Sequence, residues 1–340
     1  MKREYSPDLI HEKIVSTRTP LLMFDENADY ITWKNSVKEK LVELLGDMPE
    51  KVPLNVDIEW RQEFDTYVEI RFSFDAEAET KVPCHLFIPK EVKKPCPVVI
   101  CLQGHTTGMH ISFGYPIFDP DEGYIARDDD FACQALKEGY AALVIEQRGF
   151  GERFTSKDHA PEGEPTCWYP SMSALLVGRT MIGERVWDIS CAIDALNVFD
   201  EIDMSRVGCM GNSGGGTAAY YAACMDERIK IVMPSCAVCT FKDSIGLMRH
   251  CVCNYIPGIA KYFDMGDLAC LIAPRPLVMV SGKYDVGFFF RGAVESYNTI
   301  QRIYNKAKVP DKCKLVVGDA GHKFYPVLGC KAFRELSGWD

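Results

Sequence analysis

The chain has 340 residues, 47% of them apolar, 11% aromatic and 25% charged, which excludes a disordered tail or a disulfide-stapled miniprotein and leaves a globular protein with a substantial core. Its 38 Lys and Arg against 48 Asp and Glu give a net charge of -10, so it offers no basic field to a phosphate backbone, and nucleic acid is not an expected partner. The 15 cysteines are scattered and several sit inside apolar runs, as Cys101 and Cys209 do, which fits reduced thiols in a core better than an oxidised framework.

The chain opens on MKREYSPDLIHEK, with charges where a signal peptide needs an apolar core, and no later window is apolar for long enough to span a membrane. The expectation is a reduced cytoplasmic protein without a membrane partner. Residues 1–60 read as a helical arm, with a helix over 37–45. YVEIRFSFD and KVPCHLFIP then alternate apolar and polar residues about the short polar AEAET, the pattern of an antiparallel hairpin, placed at the edge of a sheet.

From about residue 95 onward, continuously apolar β-branched runs alternate with amphipathic stretches. The runs fall at 97–102, 141–146, 206–210, 229–234, 276–281 and 314–318, and read as strands buried on both faces. Asp128, Asp129 and Asp130 mark a helix start before FACQALKEG, which Gly139 closes. Val186, Ile189, Ile193 and Leu196 recur at helical spacing, and a further helix fits 293–306. Strand and helix taking turns predict a doubly wound, mainly parallel α/β sheet. With no internal repeat or flexible linker, the whole of 1–340 reads as one domain. Two irregular stretches, 150–183 and 236–268, follow strand ends and are expected to form a lid or pocket walls.

The chemistry centres on Gly211-Asn212-Ser213-Gly214-Gly215, a G-x-S-x-G between a strand and a helix. Its glycines allow a sharp turn that holds a serine hydroxyl exposed, whereas a phosphate loop would need a Lys-Ser/Thr ending that is missing here. A serine needs a base near neutral pH. Of the seven histidines only His322 follows a late buried strand, and Asp285, directly after another strand, supplies a carboxylate in the order Ser, Asp, His.

Together with Gln103-Gly104-His105, Arg148-Gly149-Phe150-Gly151, the segment 183–188 and Gly321-His322, these residues make the chain resemble the α/β-hydrolase superfamily. More narrowly it resembles the branch of acetyl xylan esterases, dienelactone hydrolases and prolyl-oligopeptidase-like enzymes. The resemblance implies the α/β-hydrolase fold, Ser213 as nucleophile, Asp285 as orienting acid and His322 as base. An oxyanion hole would use the backbone N–H of Gly214 and, by position, that of His105. Here the chain departs from the family, having Gln103-Gly104 where His-Gly is common. The His105 imidazole is then open to three readings: facing substrate, packing against the loop, or leaving the work to the amide.

Arg148 and Glu146 end a strand beside the expected pocket, and Arg148 reads as a structural tie between loops. Trp168, Tyr169, Phe288, Phe289, Phe290 and Tyr325 are pocket or core aromatics. One rival constellation is Cys236, Cys239, Cys251 and Cys253 with His250 adjacent, a thiolate set that could hold zinc, although its spacing matches no familiar module.

The resulting expectation is a serine esterase that needs no metal or cofactor and cleaves short-acyl, acetyl-type esters of a sugar or another small alcohol. The alternatives are a peptidase of prolyl-oligopeptidase type, which lacks room for an N-terminal propeller, and a non-catalytic protein binding metal or a partner through its cysteines. The partner is a small-molecule ester; composition leaves the oligomeric state open, and a homo-oligomer is compatible with it.

Overall fold

The computed structural model describes residues 6–161 and 163–339. The chain begins with α1 (Asp8–Thr17), which buries no side chain, and α2 (Tyr30–Leu45), which buries Trp33, Val37, Leu41 and Leu45 as one stripe at intervals of four. The Asp29 carboxylate caps α2 by accepting from the Thr32 N–H. Three strands follow, β1 (Asp57–Glu63), β2 (Tyr67–Glu77) and β3 (Thr80–Pro89), then β4 (Cys96–Leu102), α3 (Asp121–Ile125), α4 (Phe131–Lys137) and β5 (Ala141–Ile145). The first irregular stretch carries α5 (Trp168–Leu176) and leads into α6 (Met181–Ala195). Next come β6 (Ile202–Asn212), α7 (Gly214–Met225) and β7 (Ile229–Ser235). The second irregular stretch holds short 3-10 turns, and the chain ends with β8 (Leu277–Gly282), α8 (Phe290–Lys306), β9 (Cys313–Gly318) and α9 (Pro326–Ser337).

The strands form one sheet in the order β1-β2-β3-β5-β4-β6-β7-β8-β9. The first four are joined antiparallel, and from β5 to β9 every neighbour is parallel. Side chains of β4 show how the sheet separates two cores. Val98, Ile100 and Leu102 face one with α2, α6, α7 and α8, while Val99 and Cys101 face the other with α4 and α9. Because both faces are covered, β4 and β5 bury every residue, which is why their sequences are continuously apolar.

Two expectations need correction. The hairpin of β2 and β3 is not the edge of the sheet, because β1 pairs outside it. The helical arm therefore ends before Asp57 instead of running to 60, and residues 1–5 of that arm lie outside the described residues. All seven residues of β1 are exposed, so DIEWRQE carries no buried-face alternation for a sequence reading to detect.

Past β5, Arg148 is tied to three carboxylates. Its guanidinium donates to both oxygens of Asp188 at 2.9 Å, to Glu77 at 2.8 Å, and pairs with Glu184 at 3.1 Å. Arg153 shares Asp188 at 2.7 Å. These contacts bind the turn after β5 to α6 and to the end of β2, in agreement with Arg148 as a tie between loops. Removing Arg148 leaves three largely buried carboxylates, Glu77, Glu184 and Asp188, to share two arginines, Arg179 and Arg153. Arg148→Ala should therefore lose about 1.5–3 kcal/mol of stability in urea unfolding, the worth of hydrogen bonds to charged groups. A loss below about 1 kcal/mol would show that the network holds nothing together.

Candidate functional site

The turn between β6 and α7 is the tightest in the site. Ser213 has φ 53 and ψ -122, a conformation costing on the order of 1–3 kcal/mol for a residue with a side chain, and its N–H is tied to Ser235 O at 2.8 Å. Flanking glycines make the turn sterically feasible. A Cβ on Gly215 would lie 2.1 Å from Leu102 O, and one on Gly211 would lie 2.6 Å from the Gly215 carbonyl carbon. Small residues are thus required for α7 to start directly against β4, with Ser213 at the parallel sheet's C-terminal rim.

Asp285 follows β8 and is 3% exposed. One carboxylate oxygen accepts from the Gly287 and Phe288 amides at 2.8 and 3.0 Å, and the other lies 2.8 Å from His322 Nδ1. Burial alone would raise its pKa, but the bonds from His322 and the two amides outweigh burial and hold it below the usual carboxylate range. An ionised carboxylate can only accept, so Nδ1 carries the proton and Nε2 of His322 is left as the acceptor. Phe288 stacks on the His322 ring at 6.0 Å with 14° between planes, and His250 sits edge-on to Phe288 at 5.0 Å while its Nε2 meets Gly287 O at 2.9 Å.

The predicted pair Asp285 and His322 is therefore in contact. Ser213 lies at the same rim, its amide on Ser235, and the next residue, Cys236, has its Sγ within 4.8 Å of the Asp285 carboxylate and a His322 ring nitrogen. Among the described residues, however, no hydrogen bond joins Ser213 Oγ to His322. His322 makes its side-chain bond to Asp285, while Ser213 O accepts from Thr217.

Gly104 brings the loop after β4 against the elbow, since a Cβ there would lie 3.3 Å from Ser213 Cβ. The next residue, His105, lays its imidazole over the start of α7, where a Cβ on Gly214 would lie 2.6 Å from His105 Cε1. The imidazole also meets Phe150 edge-on at 5.4 Å and Cys253 Sγ at 3.1 Å. It is thus engaged with the protein, which corresponds to the packing alternative. Gln103, the departure from the family pattern, donates to the buried Glu146 carboxylate at 2.9 Å, which also receives the Met109 amide at 3.1 Å.

The four cysteines of the rival constellation do not meet. Cys236 points to Lys323 O and lies with Asp285 and His322, while Cys239 faces Asp243 O and Phe289 O. Only Cys251 and Cys253 stay together, joined by Cys167 and His105, while His250 belongs to the Phe288 side. Of the aromatics, Phe288 and Tyr325 are buried beside the site and Trp168 is exposed on α5. Sequence reasoning missed Cys167 and Arg185 as partners of that cluster and Glu146 as the partner of Gln103, because each contact joins distant segments.

A cavity of about 1070 Å³, bordered by Thr107, Met109 and His110 of the loop after β4, lies among Trp60, Tyr67, His85, Phe113, Glu146 and Phe154. Ser213, Asp285 and His322 do not line it, so cavity size and the placement of reactive groups disagree. The cavity has ionisable groups of its own, among them His85 and Glu69 at 2.6 Å, but the strained serine and the Asp285–His322 bond lie outside it.

Comparison with known proteins places the chain in a family. A family model described as the Abhydrolase family matches residues 5–316. The chain belongs to the Abhydrolase family. Among relatives of this member, YtaP of Bacillus subtilis (strain 168), provisionally named a hydrolase, is 27% identical over 305 residues, covering 89% of this chain and 98% of its own. An acetyl xylan esterase, so named provisionally, from Bacteroides fragilis NCTC 9343 superposes with a TM-score of 0.78 at 16% identity, over 99% of this chain and 90% of its own. A glucuronoyl esterase from Solibacter usitatus gives 0.70 at 16% identity, over 94% and 97%. These likenesses establish the α/β-hydrolase fold. Among the described residues no helix is long and apolar enough to cross a membrane.

Burial pushes the Glu146 carboxyl up to about 8, only partly opposed by the amides of Met109 and Glu152. Since this value lies above the ordinary one, the associated stability is complete near pH 4.5 and is lost as pH rises through about 8. Between pH 5 and 8 the wild type should lose stability relative to Glu146→Gln by up to about 1.4 kcal/mol per pH unit in denaturant unfolding. Parallel profiles for the two proteins would show that Glu146 does not titrate in this range.

Proposed function

We propose that this Abhydrolase-family member is a serine hydrolase of carboxylic esters, with Ser213 as nucleophile, His322 as general base and acid, and Asp285 as the acid that orients it. The observation that carries the reading is the 2.8 Å bond from His322 Nδ1 to the buried Asp285, beside a serine held at φ 53 on a strand-to-helix elbow. Asp285 fixes the tautomer that leaves Nε2 free to take a proton.

In the proposed reaction Ser213 Oγ passes its proton to His322 Nε2 and attacks the ester carbonyl. That contact closes with substrate, as catalytic hydrogen bonds commonly do. The oxyanion is met by the amide of Gly214, at the positive end of the 12-residue helix α7, and by the amide of His105. His322 then protonates the departing alcohol, and water, activated by the same base, releases the acyl group from Ser213.

The substrate proposed is a short-acyl ester of a sugar or similar small alcohol. The activity in the name of the Bacteroides fragilis acetyl xylan esterase supports it, and the rim is flanked by the irregular segments 150–183 and 236–268. Those segments are proposed as walls of the site within a single domain.

The test is a panel of p-nitrophenyl esters of increasing acyl length, acetylated sugars, methyl uronates and aminoacyl anilides. Wild type should prefer acetyl esters, Ser213→Ala should lose about a million-fold in kcat, and Asp285→Asn about ten-thousand-fold, with circular dichroism unchanged. Hydrolysis surviving in Ser213→Ala contradicts the mechanism, and a preference for anilides contradicts the substrate class.

A further inference from the structure

We propose that His105, Cys167, Cys251 and Cys253 form a closed tetrahedral zinc site that fastens the loop after β4 to both irregular segments. One ligand atom from each of the four residues lies within 4.8 Å of all the others. His105 Nε2 is 3.1 Å from Cys253 Sγ, which is 3.4 Å from Cys251 Sγ. Zinc bonds of about 2.3 Å to sulfur and about 2.0–2.1 Å to nitrogen place tetrahedral ligands about 3.5–3.8 Å apart, so these two pairs need shifts of a few tenths of an ångström, and every other pair, within 4.8 Å, needs at most about 1 Å. Three thiolates and one imidazole suit zinc and leave no position open for water or substrate.

A second observation, independent of ligand spacing, is the charge beside the cluster. Arg185 on α6 is 1% exposed, and its guanidinium donates to Cys253 Sγ at 3.3 Å, Cys167 Sγ at 3.5 Å and Arg148 O at 2.8 Å. It stacks on Phe150 at 4.6 Å, and its Nε has no hydrogen-bond partner among the described residues. No carboxylate pairs with it among those residues, in contrast to Arg148 and Arg153. A guanidinium buried this completely demands a buried anion. Zinc with three thiolates carries one net negative charge, which Arg185 neutralises. Binding is balanced by release of the three thiol protons to solvent as three Zn–S bonds and one Zn–N bond form.

The ligands come from the loop after β4, from the residue preceding α5, and from the 3-10 turn Val252–Asn254 with its preceding residue. That turn packs against α5 and α6. A single ion would thus tie together segments separated by more than 60 residues each, where a cross-link removes the most freedom from the open chain. A catalytic consequence rests on the function proposed above: coordination would fix His105, whose amide is one of the two oxyanion donors.

The measurement is metal content of the full-length protein, purified without a chelating tag from zinc-supplied cells, followed by cobalt replacement. The expected result is about one zinc per chain, released by a mercurial thiol reagent, and a cobalt form with intense tetrahedral bands and thiolate charge transfer. Cys167→Ser and the half-exposed Cys251→Ala should each lower zinc content at least tenfold. Less than about 0.1 zinc per wild-type chain with no cobalt charge transfer overturns the site, as does full zinc retention in both variants. Because the wild-type readout uses no substrate and needs no variant to fold, it stands or falls separately from the esterase reading.

Discussion

The start of α7 presses directly on the backbone of β4, and the chemistry proposed for this protein depends on that contact. Any side chain at Gly215 would collide with Leu102 O, so the helix can approach only because the residue is glycine. The chain must then reverse from strand to helix within one residue, and Ser213 absorbs the reversal in its positive φ. The turn sets the hydroxyl at the rim where the parallel strands end, and β8 and β9, beyond β7 in the sheet, deliver Asp285 and His322 to that rim. The Asp285–His322 pair is then held by the two backbone amides on Asp285 and by Phe288 stacked on the imidazole.

Around this rigid centre the loop after β4 is held by polar contacts that reach below the rim. Gln103 hangs from Glu146, and the same carboxylate receives the Met109 amide, so the segment bearing His105 is anchored on both sides. Farther out, Asp188 collects Arg148 and Arg153, while Arg185 from the same helix turns to the sulfur cluster. One helix, α6, thus carries the acidic partner of one loop and the cationic partner of another. The segment GERVWD at its start is nearly all buried.

What a sequence can show follows from how local its signals are. The parallel strands and the elbow around Ser213 are legible because continuous burial and glycine spacing are written within a few consecutive residues. Asp285 and His322 are legible through chain order and strand ends, and the structure brings them into contact. Strand β1 is not legible, because a strand exposed on all its residues leaves no alternation. The sulfur cluster was half legible: Cys251 and Cys253 sit two residues apart, but their companions Cys167 and His105 are set by how two irregular segments fold over the sheet. For the same reason a fully buried Arg185 cannot be told from a surface arginine by its spacing alone.

The central claim is that Ser213 is the activated hydroxyl of this protein, and covalent capture reads it directly. The wild type is treated with a fluorophosphonate and analysed by intact-mass spectrometry and peptide mapping. The account predicts a single phosphonyl adduct on Ser213, formed rapidly and abolished by His322→Ala. An adduct confined to another residue, or no adduct on protein that still hydrolyses esters, would contradict it.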